Sequence, residues 1–232
     1  MSTSNILLVT GRPGIGKTTL VSRVFEELFK NGIHTVGFKT EEVRQLYSGK
    51  SSRLGFDIVL FDSSRTYPRA SLARISSQSG QQVQRQPRVG QYLVDIPSFE
   101  SLAIPCLQSI LNNLENVSSN SNSTKKNNLI VCIIDEIGKM ELCSTKFTCC
   151  IEKLISSIVN LSTNNQRNVV KRPTIVLLAT VPSSKRQDGT RGIPLVDRIC
   201  SMKEALITEI DISNRDATVQ EITKRILNCG SL

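Results

Sequence analysis

The apolar run Ile6-Leu7-Leu8-Val9-Thr10 leads directly into Gly11-Arg12-Pro13-Gly14-Ile15-Gly16-Lys17-Thr18. Three glycines, one lysine and a threonine are poor core material, yet they follow a segment that reads as a buried strand over residues 5–10. Residues 17–31 then carry helical periodicity and end at Asn31-Gly32. Strand, glycine-rich loop and helix in that order give the pattern Gly-x-x-x-x-Gly-Lys-Thr its context. Glycines let successive backbone N–H groups turn inward without a Cβ in the way, and the helix aims its own free N–H groups at the same point. Such a loop holds anionic oxygens. Lys17 can reach the β- and γ-phosphates of a nucleotide, and the Thr18 hydroxyl can ligate Mg²⁺.

A phosphate loop of this kind needs an acidic partner for the metal. The near-continuous β-run LIVCII at 129–134 ends in Asp135-Glu136, and a parallel strand delivers its C-terminal end to the edge where α/β ligands bind. Asp135 is therefore the predicted second Mg²⁺ ligand, directly or through water. Glu136 is the predicted base or water-positioning group. Arg44, in the stretch GFKTEEVR, is a candidate for steadying charge on a transferring phosphoryl group, with an ordinary ion pair as its alternative. Lys139 and Arg88 are weaker candidates for the same role. Asn214-Arg215-Asp216 either caps the last helix or contacts a base, and His34 is expected at the surface.

The remaining pattern is α/β. Strands are predicted near 34–40, 129–134, 174–180 and 205–212, and antiparallel hairpins within 41–95. Helices are predicted from Ser98, a candidate N-cap, to about 115 with an interruption or kink at Pro105, then near 144–161 and over 215–227. Aromatics make up only 4% of the 232 residues and tryptophan is absent, so Ile, Leu and Val must build the core, as suits a buried parallel sheet between helices. Polar stretches at 116–128 and 162–172 read as surface loops within one domain spanning 1–232.

Charge and cysteines narrow the function classes. The net charge of +9 raises a nucleic-acid reading. Its basic residues, however, fall in predicted loops (Lys125, Lys126, Arg167, Lys171, Arg172, Lys185, Arg186, Arg191) and form no basic helix with interleaved aromatics. Seven cysteines include no CxxC pair, which fits reduced thiols. The segment MSTSN lacks a basic leader region, and the apolar run after it is too short to span a membrane. The expectation is a cytosolic or nuclear protein with no membrane partner. No Asn-Lys-x-Asp motif for guanine, no protein-kinase signature and no Arg-rich lid is present.

Taken alone, these residues reach Mg²⁺–nucleotide binding with a carboxylate able to activate water. A small P-loop kinase using another acceptor, and a nucleotide-dependent nucleic-acid-binding module, stay open beside hydrolysis. The segments GRPGIGKTTL, GFKTEEVR, RLGFDIV, LARI, RVGQYLVDIPSFE, IIDEIGKMEL, LLATVP and ISNRD add a resemblance that covers most of the chain. Together they resemble the THEP-type nucleoside-triphosphatases, the cancer-related nucleoside-triphosphatase family. Lys39 stands where an aromatic residue is expected in that family, and the two polar loops are longer. The resemblance implies a RecA-like P-loop fold and Mg²⁺-dependent hydrolysis of nucleoside triphosphates with broad base tolerance, taking ATP, GTP, CTP and UTP; a monomer is expected. It also implies two nucleotide-contacting segments: residues 11–18 with the adjoining Thr19, and Cys132, Ile133, Ile134, Asp135, Glu136, Ile137 and Gly138.

Overall fold

A computed structural model describes residues 4–47, 49–61, 66–75, 86–116, 129–164, 173–184, 189 and 191–230. The strands are β1 (Ile6–Thr10), β2 (His34–Tyr47), β3 (Lys50–Leu60), β4 (Arg69–Ile75), β5 (Arg88–Val89), β6 (Tyr92–Val94), β7 (Leu129–Ile134), β8 (Thr174–Thr180) and β9 (Ala205–Glu209). The helices are α1 (Lys17–Lys30), α2 (Ile96–Asn116), α3 (Thr145–Asn164), α4 (Pro194–Cys200) and α5 (Arg215–Cys229), with a 3-10 turn at Glu141–Cys143. All nine strands join one sheet in the order β5-β6-β4-β3-β2-β7-β8-β1-β9. The half from β2 to β9 is parallel, and β3, β4, β6 and β5 extend it antiparallel.

Burial on both faces explains why the central strands read as continuous apolar runs. Successive residues of β1 serve opposite cores: Ile6 and Leu8 face one, Leu7 and Val9 the other. β7 divides the same way, with Cys132 and Ile134 on the first side and Val131 and Ile133 on the second. Helices α2, α3 and α4 cover the first face through residues such as Leu107, Ile151 and Val196, while α1 and α5 cover the second through Val24, Leu28, Ile222 and Ile226. The scarce aromatics sit where they pack most: Phe38 on β2, Phe99 on α2 and Phe147 on α3 meet with centroids 5.2–6.1 Å apart, in tilted and edge-to-face arrangements that such rings favour.

Strand β2 does two jobs. Its first part pairs in parallel with β7 up to Phe38 beside Ile134, and its remainder runs on as the partner of β3. The hairpins predicted for 41–95 are thus a continuation of the main sheet, and they rise past the C-terminal end of β7. The close approach of β2 to β7 depends on Gly37, whose φ is 144°. A Cβ at that position would lie 1.8 Å from the Ile133 carbonyl oxygen.

Several boundaries differ from the sequence expectation. Helix α2 is not capped by Ser98. Asp95 takes that place, its Oδ1 accepting the Ser98 N–H at 3.1 Å, while the Ser98 hydroxyl accepts the Ser71 N–H at 3.0 Å. Pro105 does not interrupt α2; the carbonyl it leaves without a helical partner belongs to Ser101, which faces solvent. Strand β9 stops at Glu209 rather than 212, and α4 was not anticipated. Asn116 closes α2 and α3 runs to Asn164; the rest of both predicted polar loops lies outside the described residues, as do the basic loop residues other than Arg191. All seven cysteines are free. Among the described residues no helix is long and apolar enough to cross a membrane.

Candidate nucleotide site

Parallel pairing of β1, β8 and β7 brings three strand ends to one edge, with β8 lying between the strand that feeds the glycine loop and the strand that ends in Asp135. The loop turns on left-handed backbone at Gly14 (φ 76°) and Gly16 (φ 102°), conformations that glycine adopts without strain. Helix α1 starts at Lys17 with no side-chain cap and no acid in its first turn. Its first internal hydrogen bond runs from the Leu20 N–H to the Gly16 carbonyl at 2.9 Å. The N–H groups before Leu20, including those of Lys17, Thr18 and Thr19, are thus the donors that a helix start leaves over. Lys17 Nζ donates back across the loop to the Gly11 carbonyl at 3.1 Å.

Asp135 is 2% exposed. Its Oδ1 accepts the Thr180 hydroxyl at 2.9 Å and its Oδ2 the Thr40 N–H at 3.3 Å. The Thr40 hydroxyl donates to the Asp135 carbonyl at 2.6 Å. Burial pushes the Asp135 carboxyl above its usual range, against opposing pulls from the Thr18 and Thr180 hydroxyls, the Thr40 N–H and the Lys17 charge. The Asp135 carboxyl and the Thr18 hydroxyl beside it are oxygen donors that fit Mg²⁺, which takes one or two protein ligands and fills the remainder with phosphate and water. Among the described residues no group of three or more His, Cys, Asp or Glu is placed to hold a metal ion by itself.

Thr18, Asp135, Glu136 and Lys17 line one cavity of about 510 Å³. Gly11, Pro13, Gly14 and Gly16 of the loop and Glu42, Arg53, Phe56 and Leu72 of β2, β3 and β4 line the same cavity. Within the second segment, Cys132, Ile133, Ile134 and Ile137 are core residues and only Asp135 and Glu136 face the cavity. Gly138 lets the chain turn tightly between two acids: a Cβ there would meet Glu136 Oε1 at 2.9 Å and Glu141 Oε2 at 3.0 Å. In the first segment Arg12 and Thr19 are exposed, and Ile15 is half-buried against the α1–α5 core.

Arg44 lies outside the cavity lining. It pairs with Glu42 at 2.6 Å, the ion-pair alternative raised for it. Arg53, on the facing strand, shares Glu42 and does line the cavity, as does Lys139. Arg88 opens β5 at the surface, and His34 is exposed at the start of β2. Lys39 pairs with Glu41 at 2.7 Å. Asn214 stands at the N-cap of α5 without a side-chain cap bond.

Thr40, described above, Thr180 and Glu141 had no role in the sequence reading. Thr180 is fully buried against Asp135; its signal was a hydroxyl at the end of an otherwise apolar strand. Glu141, 4% exposed, lies in the cavity lining and accepts the Gly138 N–H at 3.1 Å. Nothing in IIDEIGKMEL marks its third carboxylate as buried, since glutamates are mostly exposed. Burial first, and the neighbouring Glu136 charge second, push the Glu141 carboxyl well above its usual range. A raised folded-state value makes the protonated form the stable one: its contribution is complete below the unfolded value near 4.5 and is lost as pH rises towards the folded value. Glutamine mimics the protonated acid, so Glu141→Gln should melt progressively higher than the native chain as pH rises from about 4.5 to 8. Melting curves at several pH values test this; a gap that stays constant with pH would refute it.

Comparison with known proteins shows what the chain is similar to. The NTPase family model matches residues 6–223. The cancer-related nucleoside-triphosphatase homolog of Bos taurus is 35% identical, over 93% of this chain and 93% of its own length. The cancer-related nucleoside-triphosphatase of Homo sapiens is 33% identical over the same shares. The crystal structure of THEP1 from the hyperthermophile Aquifex aeolicus superposes with a TM-score of 0.61 at 30% identity, covering 93% of this chain and 95% of that one.

Proposed function

The chain belongs to the NTPase family and has its P-loop fold, and from that premise we propose that it hydrolyses ATP, GTP, CTP and UTP to the diphosphate and orthophosphate in a Mg²⁺-dependent reaction. That it is a nucleoside-triphosphate hydrolase follows from the family; the range of bases, the metal and the residue roles are our own reading. The observation that carries it is one cavity combining the glycine loop and Lys17 with buried Asp135 and, next to it, Glu136.

In this reading residues 11–18 cradle the phosphates and Lys17 neutralises charge on the β- and γ-groups. Thr18 and Asp135 hold Mg²⁺, which supplies further charge neutralisation when bound. Glu136 orients a water in line with the γ-phosphorus and takes its proton as the new O–P bond forms and the bond to the β-γ bridging oxygen breaks. Catalysis is then positioning and electrostatics, as phosphoryl transfer requires. Every group invoked comes from one chain, so a monomer suffices, and the single sheet that joins β1 to β9 supports reading 1–232 as one domain. Seven cysteines without a CxxC pair support a cytosolic or nuclear setting. The +9 charge is not read as a nucleic-acid footprint.

The test is release of diphosphate and orthophosphate from each of the four triphosphates, with Mg²⁺ and with a chelator. Equal amounts of both products, rates within about tenfold across bases, and dependence on Mg²⁺ are expected. Phe56, Leu72 and Val89 also line the cavity, apolar surface against which a second substrate could sit. Diphosphate formed without matching orthophosphate would therefore favour a kinase.

A further inference from the structure

We infer that Arg215 is the platform on which the nucleoside end of the substrate lies, and that it underlies tolerance for different bases. This rests on the nucleotide reading above. Strand β9 pairs with β1 on the side away from β8 and β7, so α5 begins beside the glycine loop on the flank opposite Asp135. A triphosphate whose γ-end lies between Lys17 and Asp135 runs back over the start of α1, and its nucleoside leaves towards β9 and α5. Arg215, the first residue of α5, stands at that exit.

Its side chain is fixed there. Nη1 donates to the Ile15 carbonyl at 3.2 Å, and the guanidinium lies so close over Gly16 that a Cβ would be 2.7 Å from Nη1. Nε is buried with no hydrogen-bond partner among the described residues; Asp216 lies 3.6 Å away and is itself paired with Arg23. The cation also sits at the positive ends of both α1 and α5, where helix dipoles disfavour it. A positive charge kept in that place is matched by an electron-rich ligand: a base face stacks on a guanidinium whichever base it is.

Groups that would read base edges are already committed. Asn214 Oδ1 accepts the Asp211 N–H and its Nδ2 donates to the Glu209 carbonyl. Asp211 Oδ1 accepts from the Ser213 N–H and hydroxyl and from the Asn214 N–H. This turn offers a plane without an edge code, which is the chemistry of tolerance.

Calorimetric binding of ADP, GDP, CDP and UDP, each compared with inorganic pyrophosphate, separates this from a brace on the loop and needs no turnover. In Arg215→Ala all four nucleotides should bind about tenfold more weakly. Pyrophosphate, which has no nucleoside, should bind as in the native chain, and its undiminished binding shows that the loop is still formed. Arg215→Lys keeps the charge but not the plane and should show the same nucleotide defect. Equal loss for nucleotides and pyrophosphate, no loss for either, or full rescue by lysine would each overturn the assignment. Failure of the hydrolase reading would appear in turnover and leave these affinities unchanged; a native chain that bound no diphosphate would overturn both.

Discussion

Glu136→Gln should lower kcat for every nucleoside triphosphate by about 10²–10⁴-fold, the range a positioned general base contributes, while nucleotide affinity stays close to native. Glutamine keeps the size and hydrogen-bonding reach of the side chain and removes only its ability to take a proton. The glycine loop, Lys17, Thr18 and Asp135 are unchanged, so the phosphates should be held as before and the loss should fall on kcat rather than KM. Glu141, the other carboxyl in the cavity lining, is buried and accepts the Gly138 N–H. Burial, the larger cause of its upward shift, persists in the variant and disfavours its charged form, so it should not replace Glu136 as the base. Single-turnover phosphate release measured beside equilibrium nucleotide binding separates the two quantities. Turnover within about threefold of native, well below the range for a general base, would remove Glu136 from the proton-transfer role.

The sequence carried most of the architecture because the parallel half of the sheet is made of residues with one place to go. LIVCII and TIVLLAT are apolar on both faces and fit only between two layers of helices. The glycine loop named its own neighbours, a strand before and a helix after. What local pattern did not carry was pairing. The length of β2, and the fusion of the hairpins into the same sheet, depend on Gly37 allowing contact with Ile133, a long-range fact that leaves only a glycine in the chain. Helix α4 is seven residues, too short for helical periodicity to register. Asp95 displaced Ser98 as the cap of α2 because the Ser98 hydroxyl is claimed by the Ser71 N–H.

The candidate site divides along the same line. Lys17, Thr18, Asp135 and Glu136 were legible because each sits at a fixed offset from an element boundary that composition marks. Thr40 and Thr180 were not, since their value comes from register: Phe38 lies beside Ile134, and Ile134 beside Ala179, so each threonine comes to rest near Asp135 one or two residues past a paired strand end. Arg44 and Arg53 look interchangeable as basic residues on a hairpin. They are paired across β2 and β3 and share Glu42, yet it is Arg53 that lines the cavity. No reading of one strand at a time reveals that choice.

Lys17→Ala should cut kcat/KM by about 10²–10³-fold, since truncating one partner of a close, desolvated charge contact costs about 2–5 kcal/mol, and it should weaken nucleotide binding as well as turnover. The contrast with Glu136→Gln lies in where the loss appears: a cation that binds ground state and transition state alike moves KM, and any further fall in kcat measures what it adds as charge shifts to the leaving group. Stability should move little. Lys17 is at the positive end of α1, where its charge gains nothing from the helix dipole; its ammonium donates to the Gly11 carbonyl at 3.1 Å and draws the Asp135 carboxyl down. Losing that bond, worth about 1 kcal/mol or less for a partly exposed group, is offset by relief of the charge at the helix start. Lys17→Arg should not restore activity, because a broad planar guanidinium does not fit where a narrow ammonium threads a glycine loop. Melting temperature, nucleotide affinity and turnover measured on one preparation of each variant give the answer. An alanine variant as stable as native that still binds nucleotide within about threefold, far less than the loss of a close charge contact, would mean that the glycine loop alone holds the phosphates and that Lys17 serves only to close it.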